Sequence, residues 1–434
     1  MVLAMFCWTA LLFVRALRWK KRPPPAAPDV ADRFLWVFVV PALNEEVTIA
    51  DSVARLAHVP VAEKLILVVD DGSGDRTPQI LRELHQADLV VLRRDPPHAR
   101  RGKAAALNHA YRALDELRGK VDRDRVIVCI VDADGRLDPE APRYAAAHFA
   151  EPQVAGVQSL VQIYNRLRLL TWMQDVEFAV YGHLFQAGRN GWGTAGMGGN
   201  GQFNRLSGLD AIVVDEGPWR DRLTEDQDLG LRLIAAGFDG RQELRGAVDQ
   251  QGLSNLRALL RQRTRWSQGN LQAIGLAGAV LRRGIVPLLP RLELLAYLLM
   301  PFWQGIVGVA LVAAIYLWVS GEAVFWDGEL VLQLLLFYVL GFGGTVLGVV
   351  ASRSDEGPRG WAVGFLIGHA YSLYTWLIWP VLLRSAARQL GARRAWAKTE
   401  REPLAPTEPH ALPAAIPAES SPAARRTPAR APPA

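Results

Sequence analysis

A chain of 434 residues can bury a full-sized core and has room for two or three domains. Half of its residues are hydrophobic and its net charge is +6, but apolar runs crowd the two ends while charge crowds the middle. Basic residues beside apolar segments suit anionic headgroups better than nucleic acid; no nucleic-acid partner is expected, and no solenoid repeat is found.

Two cysteines, Cys7 in an apolar run and Cys129 in an expected buried strand, suit free thiols in a reducing compartment, without metal-ligand spacing. Residues 2–17 are almost purely apolar, with Arg15 near their end, and are followed by Arg18, Lys20, Lys21 and Arg22. A secretory signal carries its positive charge before the apolar stretch, and no small-residue cleavage site precedes Pro23–Pro25. Residues 1–22 therefore read as an uncleaved membrane anchor with its C-terminal flank in the cytosol. The run is short for a span of ~20 residues, so Arg15 and Arg18 are expected to snorkel.

Residues 33–252 alternate short β-rich runs (Leu35–Val40, Leu65–Val69, Leu89–Leu92, Val126–Val131) with helix-like stretches. Thr77–Pro78 and Asp138–Pro139 each read as an N-cap followed by Pro at the first helical position. Such alternation predicts a largely parallel α/β sheet. Residues 253–290 read as interfacial helices. Within 291–384, the segments 294–319, 331–350 and 361–383 are long enough to cross a bilayer and contain no Asp, Glu, Lys or Arg. One N-terminal and three C-terminal spans would place the basic segment 385–402 outside. Either 285–319 is two inserted pieces broken near Pro301, the favoured version, or the tail breaks the positive-inside rule. The Pro/Ala-rich stretch 403–434 is expected to be disordered.

Ligands of α/β sheets bind beyond the carboxyl ends of the strands. Here the first strand runs into Pro41-Ala-Leu-Asn44-Glu45-Glu46, the second into Asp70-Asp71-Gly72-Ser73, and the fourth into Asp132-Ala-Asp134-Gly135. Asp132 and Asp134 are hard oxygen ligands suited to Mg²⁺ or Mn²⁺ bridging a diphosphate. Arg100-Arg101-Gly102-Lys103, opening a helix, offers positive charge and free backbone N–H groups to phosphate. Thr224-Glu225-Asp226 precedes the helix-like run Asp228–Ala236. An Asp there can take an alcohol proton, though acids at a helix N-terminus are equally explained by the dipole. Gln262-Arg-Thr-Arg265-Trp266 sets two cations, an amide and an indole in five residues, suited to a diphosphate and a sugar face, or to an interfacial anchor.

In this order, Asp71, Asp132/Asp134, Thr224-Glu225-Asp226 and Gln262…Arg265-Trp266 resemble the D, DxD, TED and QxxRW set of the processive family 2 glycosyltransferases: cellulose, hyaluronan, chitin and poly-N-acetylglucosamine synthases. The resemblance covers about residues 34–270, includes Gly102-Lys103 through Leu107-Asn108, and extends to Trp396-Ala-Lys-Thr-Glu-Arg401. It implies an α/β GT-A, Rossmann-like nucleotide-sugar-binding domain embedded in an α-helical transmembrane protein of the plasma (inner) membrane, multi-pass, with its catalytic domain cytosolic. By that resemblance, Pro41, Asn44, Glu45, Asp70, Asp71, Lys103, Asn108, Asp132, Gln262 and Arg265 would bind a UDP-sugar, UDP-glucose or UDP-N-acetylglucosamine being favoured. Asp132 and Asp134 would hold Mg²⁺ or Mn²⁺, Asp226 would be the base, with Glu225 and Asp134 beside it, and Gly199, Asn200 and Trp266 would meet the glycan acceptor. The lipid bilayer and polysaccharide-export proteins are the further expected partners. The stretch Gly198–Gln202 departs from the Cys–Gly pair of cellulose synthases. Non-processive transfer to a polyprenyl phosphate or membrane lipid is the runner-up. A transporter would need ionisable residues along its spans, and these contain only His369.

Overall fold

Alternation along four apolar strands builds the centre of the domain. The computed structural model describes residues 2–22, 30–282, 286–321 and 330–391, all within one compact unit. Strands β1 (Leu35–Ala42), β2 (Glu63–Asp70), β3 (Leu89–Arg93), β4 (Val126–Ile130), β5 (Arg136–Leu137), β6 (Val154–Ile163), β7 (Gln202–Arg205) and β8 (Asp239–Gln250) form one sheet in the order β3-β2-β1-β4-β7-β6-β8-β5. Successive side chains point to opposite faces. Trp36, Phe38, Val40, Ile66, Val68, Ile127 and Cys129 thus enter one apolar layer, and Val37, Val39, Leu67, Val69, Val126, Val128 and Ile130 the other. Each such buried side chain contributes about 1.5–3 kcal/mol.

Among the described residues, the α-helices run in chain order from α1 (Val2–Lys20) and α2 (Ile49–Ala57) through α3 (Thr77–Glu83), α4 (Lys103–Leu117), α5 (Ala141–Phe149) and α6 (Leu169–Val180). A π-helical turn, Tyr181–Gln186, joins α6 to α7 (Ala187–Asn190), followed by α8 (Leu206–Asp210), α9 (Glu225–Ala235), α10 (Leu256–Ala273) and α11 (Ala277–Arg282). Then come α12 (Leu288–Leu298), α13 (Met300–Val319), α14 (Leu330–Ser352), α15 (Gly357–Thr375) and α16 (Ile378–Leu390). Helices α2 and α5 cover the first apolar layer and α4 and α9 the second.

The sheet is mixed rather than largely parallel. The strands β3, β2, β1 and β4 are parallel, but β7 runs antiparallel to both neighbours, and β5 is antiparallel to β8. The short polar run Gln202-Phe-Asn-Arg205 shows no apolar run in sequence, yet closes the gap between β4 and β6. Two expected caps also move. Thr77 is the first residue of α3, not its cap, and its hydroxyl accepts from the Glu45 N–H at 2.8 Å. Asp138 lies before α5, which starts at Ala141 with Pro142 in its first turn, because Asp138 closes a turn onto Glu140 N–H at 2.9 Å. The TED acids do not precede their helix: α9 begins at Glu225, with Thr224 as its N-cap.

Four described helical stretches are long and apolar enough to cross a membrane: Val2–Lys20, Met300–Leu317, Leu334–Ser352 and Ser354–Leu390. Arg15 packs against α7. Its Nε donates to Gly188 O at 2.9 Å, and its guanidinium stacks 3.5 Å over the Trp192 ring. The run 294–319 breaks at Leu299, between α12 and α13, with Pro301 in the new first turn. The run 361–383 breaks after Thr375, and α16 turns instead along α10, where Ser385 bonds Ser267 at 2.8 Å and Arg388 bonds Gln268 at 3.1 Å. Helices α14 and α15 approach through Gly364 and Gly368, where a Cβ would lie 3.0 Å from Val350 Cα and 2.8 Å from Val346 Cα. The expectations for Pro23–Pro25, for residues 392–402 and for the tail 403–434 lie outside the described residues.

Candidate active site

The carboxyl ends of β1, β2 and β4 gather the acidic loops as the sheet rule requires. Pro41 is paired with Val69 in the last rungs of β1. Asn44, with a left-handed φ of 55°, laces the β1 and β2 loops together: its N–H donates to Ser73 Oγ at 2.9 Å and its amide oxygen accepts from Gly74 N–H at 2.8 Å. Glu45 is buried beside them and accepts from Thr48 at 3.3 Å. Both expected donor residues thus shape the rim. Asp70 caps Ser73 N–H at 2.9 Å and pairs with Arg93, while Asp71 pairs with Arg94 at 2.5 Å. Burial pushes the Asp71 carboxyl up, with the Arg100 backbone and Arg94 opposing it.

Lys103 opens α4 behind Gly102, whose φ of 97° frees the helix N-terminus. Its ammonium donates to Asp132 Oδ1 at 2.7 Å and stands 3.7 Å from Glu225 Oε1, joining the DxD loop to the TED loop. Burial disfavours that charge, but Asp132, Glu225 and Asp226 outweigh it and raise the Lys103 pKa. Burial likewise raises both Glu225 and Asp226, with Lys103 pulling them back. A buried carboxylate of raised basicity is what proton abstraction needs. Asn108, one turn further along α4, braces the fold instead of facing the cleft. Its amide donates to Trp219 O at 2.7 Å and accepts from Trp219 N–H at 3.0 Å.

Asn200 shapes the DxD loop, accepting from Asp132 N–H at 3.0 Å. Gln158 holds that segment in turn, donating to Asn200 O at 2.7 Å and accepting from Gly198 N–H at 2.8 Å. Gly199 has φ 86° and leaves room for Asp226, since a Cβ there would stand 2.8 Å from Asp226 Oδ2. The QxxRW residues all lie on α10, where Gln262, Arg265 and Trp266 share one face at i, i+3 and i+4. That helix reaches the TED loop because Gly269 carries no side chain; a Cβ would clash with Thr224 Oγ1. A cavity of about 510 Å³ opens beside Lys103 and Glu225, bordered also by Arg100, Arg101, Arg222 and Gln389.

Among the described residues no group of three or more His, Cys, Asp or Glu gathers as a metal cage. Asp132 and Asp134 still fit a hard cation, which commonly takes one or two protein carboxylates and completes its shell with phosphate and water. The Asp132 loop is fixed in shape: a Cβ at Gly135 would meet Asn200 Oδ1 at 2.7 Å and Asp132 O at 2.9 Å. Sequence reasoning missed Arg93, Arg94, Gln158, Glu177 and Arg263. The first two enter through the parallel register that sets Arg93 opposite Asp70, which only the structure supplies.

Residues 127–347 match the family model described as glycosyl transferase family group 2, and residues 37–212 match glycosyl transferase family 2. The chain belongs to glycosyl transferase family group 2. This chain is 31% identical over 277 residues to beta-monoglucosyldiacylglycerol synthase of Synechocystis, covering 61% of this chain and 55% of that protein. It is 26% identical over 273 residues to poly-beta-1,6-N-acetyl-D-glucosamine synthase of Staphylococcus epidermidis, covering 61% of this chain and 59% of that one. The chain therefore spans little more than half the length of these curated relatives. Among solved structures, it resembles a mannosyltransferase of Pyrobaculum calidifontis in complex with GDP-Man and Mn²⁺, with a TM-score of 0.57, 21% identity, and coverage of 90% of this chain and 96% of that one. The fold of this chain is GT-A, with a mixed Rossmann-like sheet.

Proposed function

We propose that this transferase moves a sugar, with inversion, from a UDP-sugar to an acceptor hydroxyl at the membrane surface, UDP-glucose and UDP-N-acetylglucosamine being the favoured donors. The carrying observation is the Lys103 bridge, which sets Asp132 of the DxD loop and Glu225 of the TED loop around one ammonium beside the cavity. Asp226 accepts the acceptor proton as the hydroxyl attacks the anomeric carbon from the face opposite the nucleotide. Arg265 and Lys103 balance charge on the departing diphosphate, electrostatics preorganised by burial. Asp132 and Asp134 would hold Mg²⁺ or Mn²⁺, which supplies further neutralisation of that diphosphate. The apolar helices sit in the bilayer, with the catalytic domain on the cytosolic side.

The acceptor we favour is the end of a growing β-linked polysaccharide, whose last sugar stacks on Trp266 and which export partners carry onward. A second reading, one sugar added to a membrane lipid, is favoured by the 31% identity to a glucosyldiacylglycerol synthase. Product analysis separates them. Purified protein is given labelled UDP-glucose or UDP-N-acetylglucosamine, with Mn²⁺ and diacylglycerol micelles or a short oligosaccharide. A ladder of lengthening glycans supports the first reading, and a single glycolipid establishes the second. No transfer from either donor to either acceptor sinks both.

A further inference from the structure

The QxxRW pattern leaves Arg263 unassigned, yet in space it touches two of the pattern's named side chains. It is buried on α10. Its Nη1 donates to Gln262 Oε1 at 2.6 Å, and its guanidinium carbon lies 4.1 Å from the centre of the Trp266 ring. The remaining nitrogens form a two-pronged pair with Glu177 of α6, Nε to Oε1 at 3.1 Å and Nη2 to Oε2 at 2.8 Å. Glu177 Oε2 also accepts from the Tyr374 hydroxyl of α15 at 2.8 Å. Phe178, next to Glu177, meets Trp266 edge-on at 6.1 Å between ring centres and 71° between planes.

We propose that Arg263 is a positioning residue that fixes Trp266 and Gln262 for their ligands, and that Glu177 and Tyr374 fix Arg263. This rests on the proposed function, in which Trp266 carries the acceptor sugar, and on the expected part of Gln262 in binding the UDP-sugar. With Arg263 over one indole face, only the opposite face is left for a sugar. With its oxygen turned to Arg263, the Gln262 amide presents its NH₂ away from that arginine, the end that suits an anion. A buried ion pair is a poor way to glue helices, because desolvation offsets most of its attraction. Its distinctive contribution is direction. The planar guanidinium fork fixes several partners at once, which a lysine ammonium does not do. The link through Tyr374 further sets the acceptor platform relative to α15, one of the apolar helices.

The test uses the full-length protein in detergent with Arg263→Lys, Glu177→Gln and Trp266→Ala. UDP-glucose and UDP-N-acetylglucosamine serve as donors, and a short glucose or N-acetylglucosamine oligomer and diacylglycerol micelles as acceptors. A merely structural role lowers the folded fraction, so Vmax falls while KM stays. Positioning instead moves KM: Arg263→Lys is expected to raise the acceptor KM about tenfold and the donor KM a few-fold, with Vmax changed by less than either. Glu177→Gln should shift both in the same direction, and decides the matter if Arg263→Lys does not fold. Unchanged KM values in either folded variant overturn the inference. If Trp266→Ala leaves the acceptor KM unchanged, the acceptor-platform reading itself is wrong. If Trp266→Ala raises it while Arg263→Lys does not, only the role of Arg263 fails.

Discussion

The backbone of Gly199 lies against the carboxylate of Asp226 so closely that a Cβ would stand 2.8 Å from Oδ2. The stretch carrying Gly199 also carries Asn200, which shapes the DxD loop from its other end. Gly199→Ala therefore meets two obstacles, a φ of 86° and the carboxylate of the proposed base. It is expected to cost about 1–2 kcal/mol of stability and to lower transfer more than tenfold when rates are normalised to folded protein, since a misplaced base loses much of its roughly 10²–10⁴-fold contribution. Thermal melts and initial rates measured together check this; full normalised activity would remove the contact from the mechanism.

Asp226→Asn keeps the shape and removes the proposed proton acceptor. Transfer should fall about 10²–10⁴-fold while UDP binding by calorimetry stays close to wild type. Burial raises the Asp226 and Glu225 carboxyls, so the base is lost by protonation above the ordinary carboxylate range. The acid limb of the wild-type rate profile should therefore fall at a pH higher than that of an exposed aspartate. A limb at the ordinary aspartate value would contradict a base in so buried a setting.

Asp132 and Asp134 make divalent metal a requirement of the proposed reaction. Chelation with EDTA should stop transfer, and added Mn²⁺ or Mg²⁺ should restore it. Asp134→Ala should remain inactive at saturating metal. Undiminished turnover in EDTA, with metal content shown to be negligible by elemental analysis, would refute the assignment.

Away from the cleft, Glu243 on β8 bonds His148 at 2.9 Å and Arg245 at 2.8 Å. Burial raises its carboxyl, but the bonds to Arg245 and His148 outweigh it and bring the pKa down to about 2. A depressed carboxyl stabilises the fold above its unfolded value and loses that contribution as pH falls through its folded value. Glu243→Gln should thus be less stable than wild type by roughly 2–4 kcal/mol at pH 7, and the gap should narrow between about pH 4 and pH 2. Melting curves across that range check the sign. A gap that does not narrow with acid would assign the loss to packing instead.

Strands β1, β2 and β4 were legible because burial on both faces leaves continuous Val, Ile and Leu runs, and the half-exposed β3 was legible from its short Leu-Val-Val-Leu run. The acidic loops followed from the strand ends. Strands β7 and β8 were not legible, since Gln202, Asn204, Arg241 and Gln242 are buried polar residues whose partners come from distant chain, as when Asn190 accepts from Gln242 N–H at 2.6 Å. The pairing of Asp71 with Arg94 needs the β2–β3 register, which hydropathy does not carry. Helix breaks in the apolar region were half visible. Pro301 and Pro380 each fall in the first turn of a new helix, where proline is tolerated. The motif residues were found, but Arg263 was not, because its role lies in contacts to Glu177 and Trp266 rather than in its spacing.

The place of β7 in the sheet orders events during synthesis. The pairings among β3, β2, β1 and β4 draw only on residues 35–130, all of them parallel. The partner of β4 on its other side, Gln202–Arg205, is made more than seventy residues later and must slot in against the chain direction. Until it arrives, β4 is an exposed edge, an invitation to pair with another nascent chain. The Asp132 loop also lacks Asn200, which lies two residues ahead of that strand. Translation that pauses between Ile130 and Gln202 would leave a chain open to aggregation and its DxD loop without the hold of Asn200, a hold gained only as β7 closes the gap between β4 and β6.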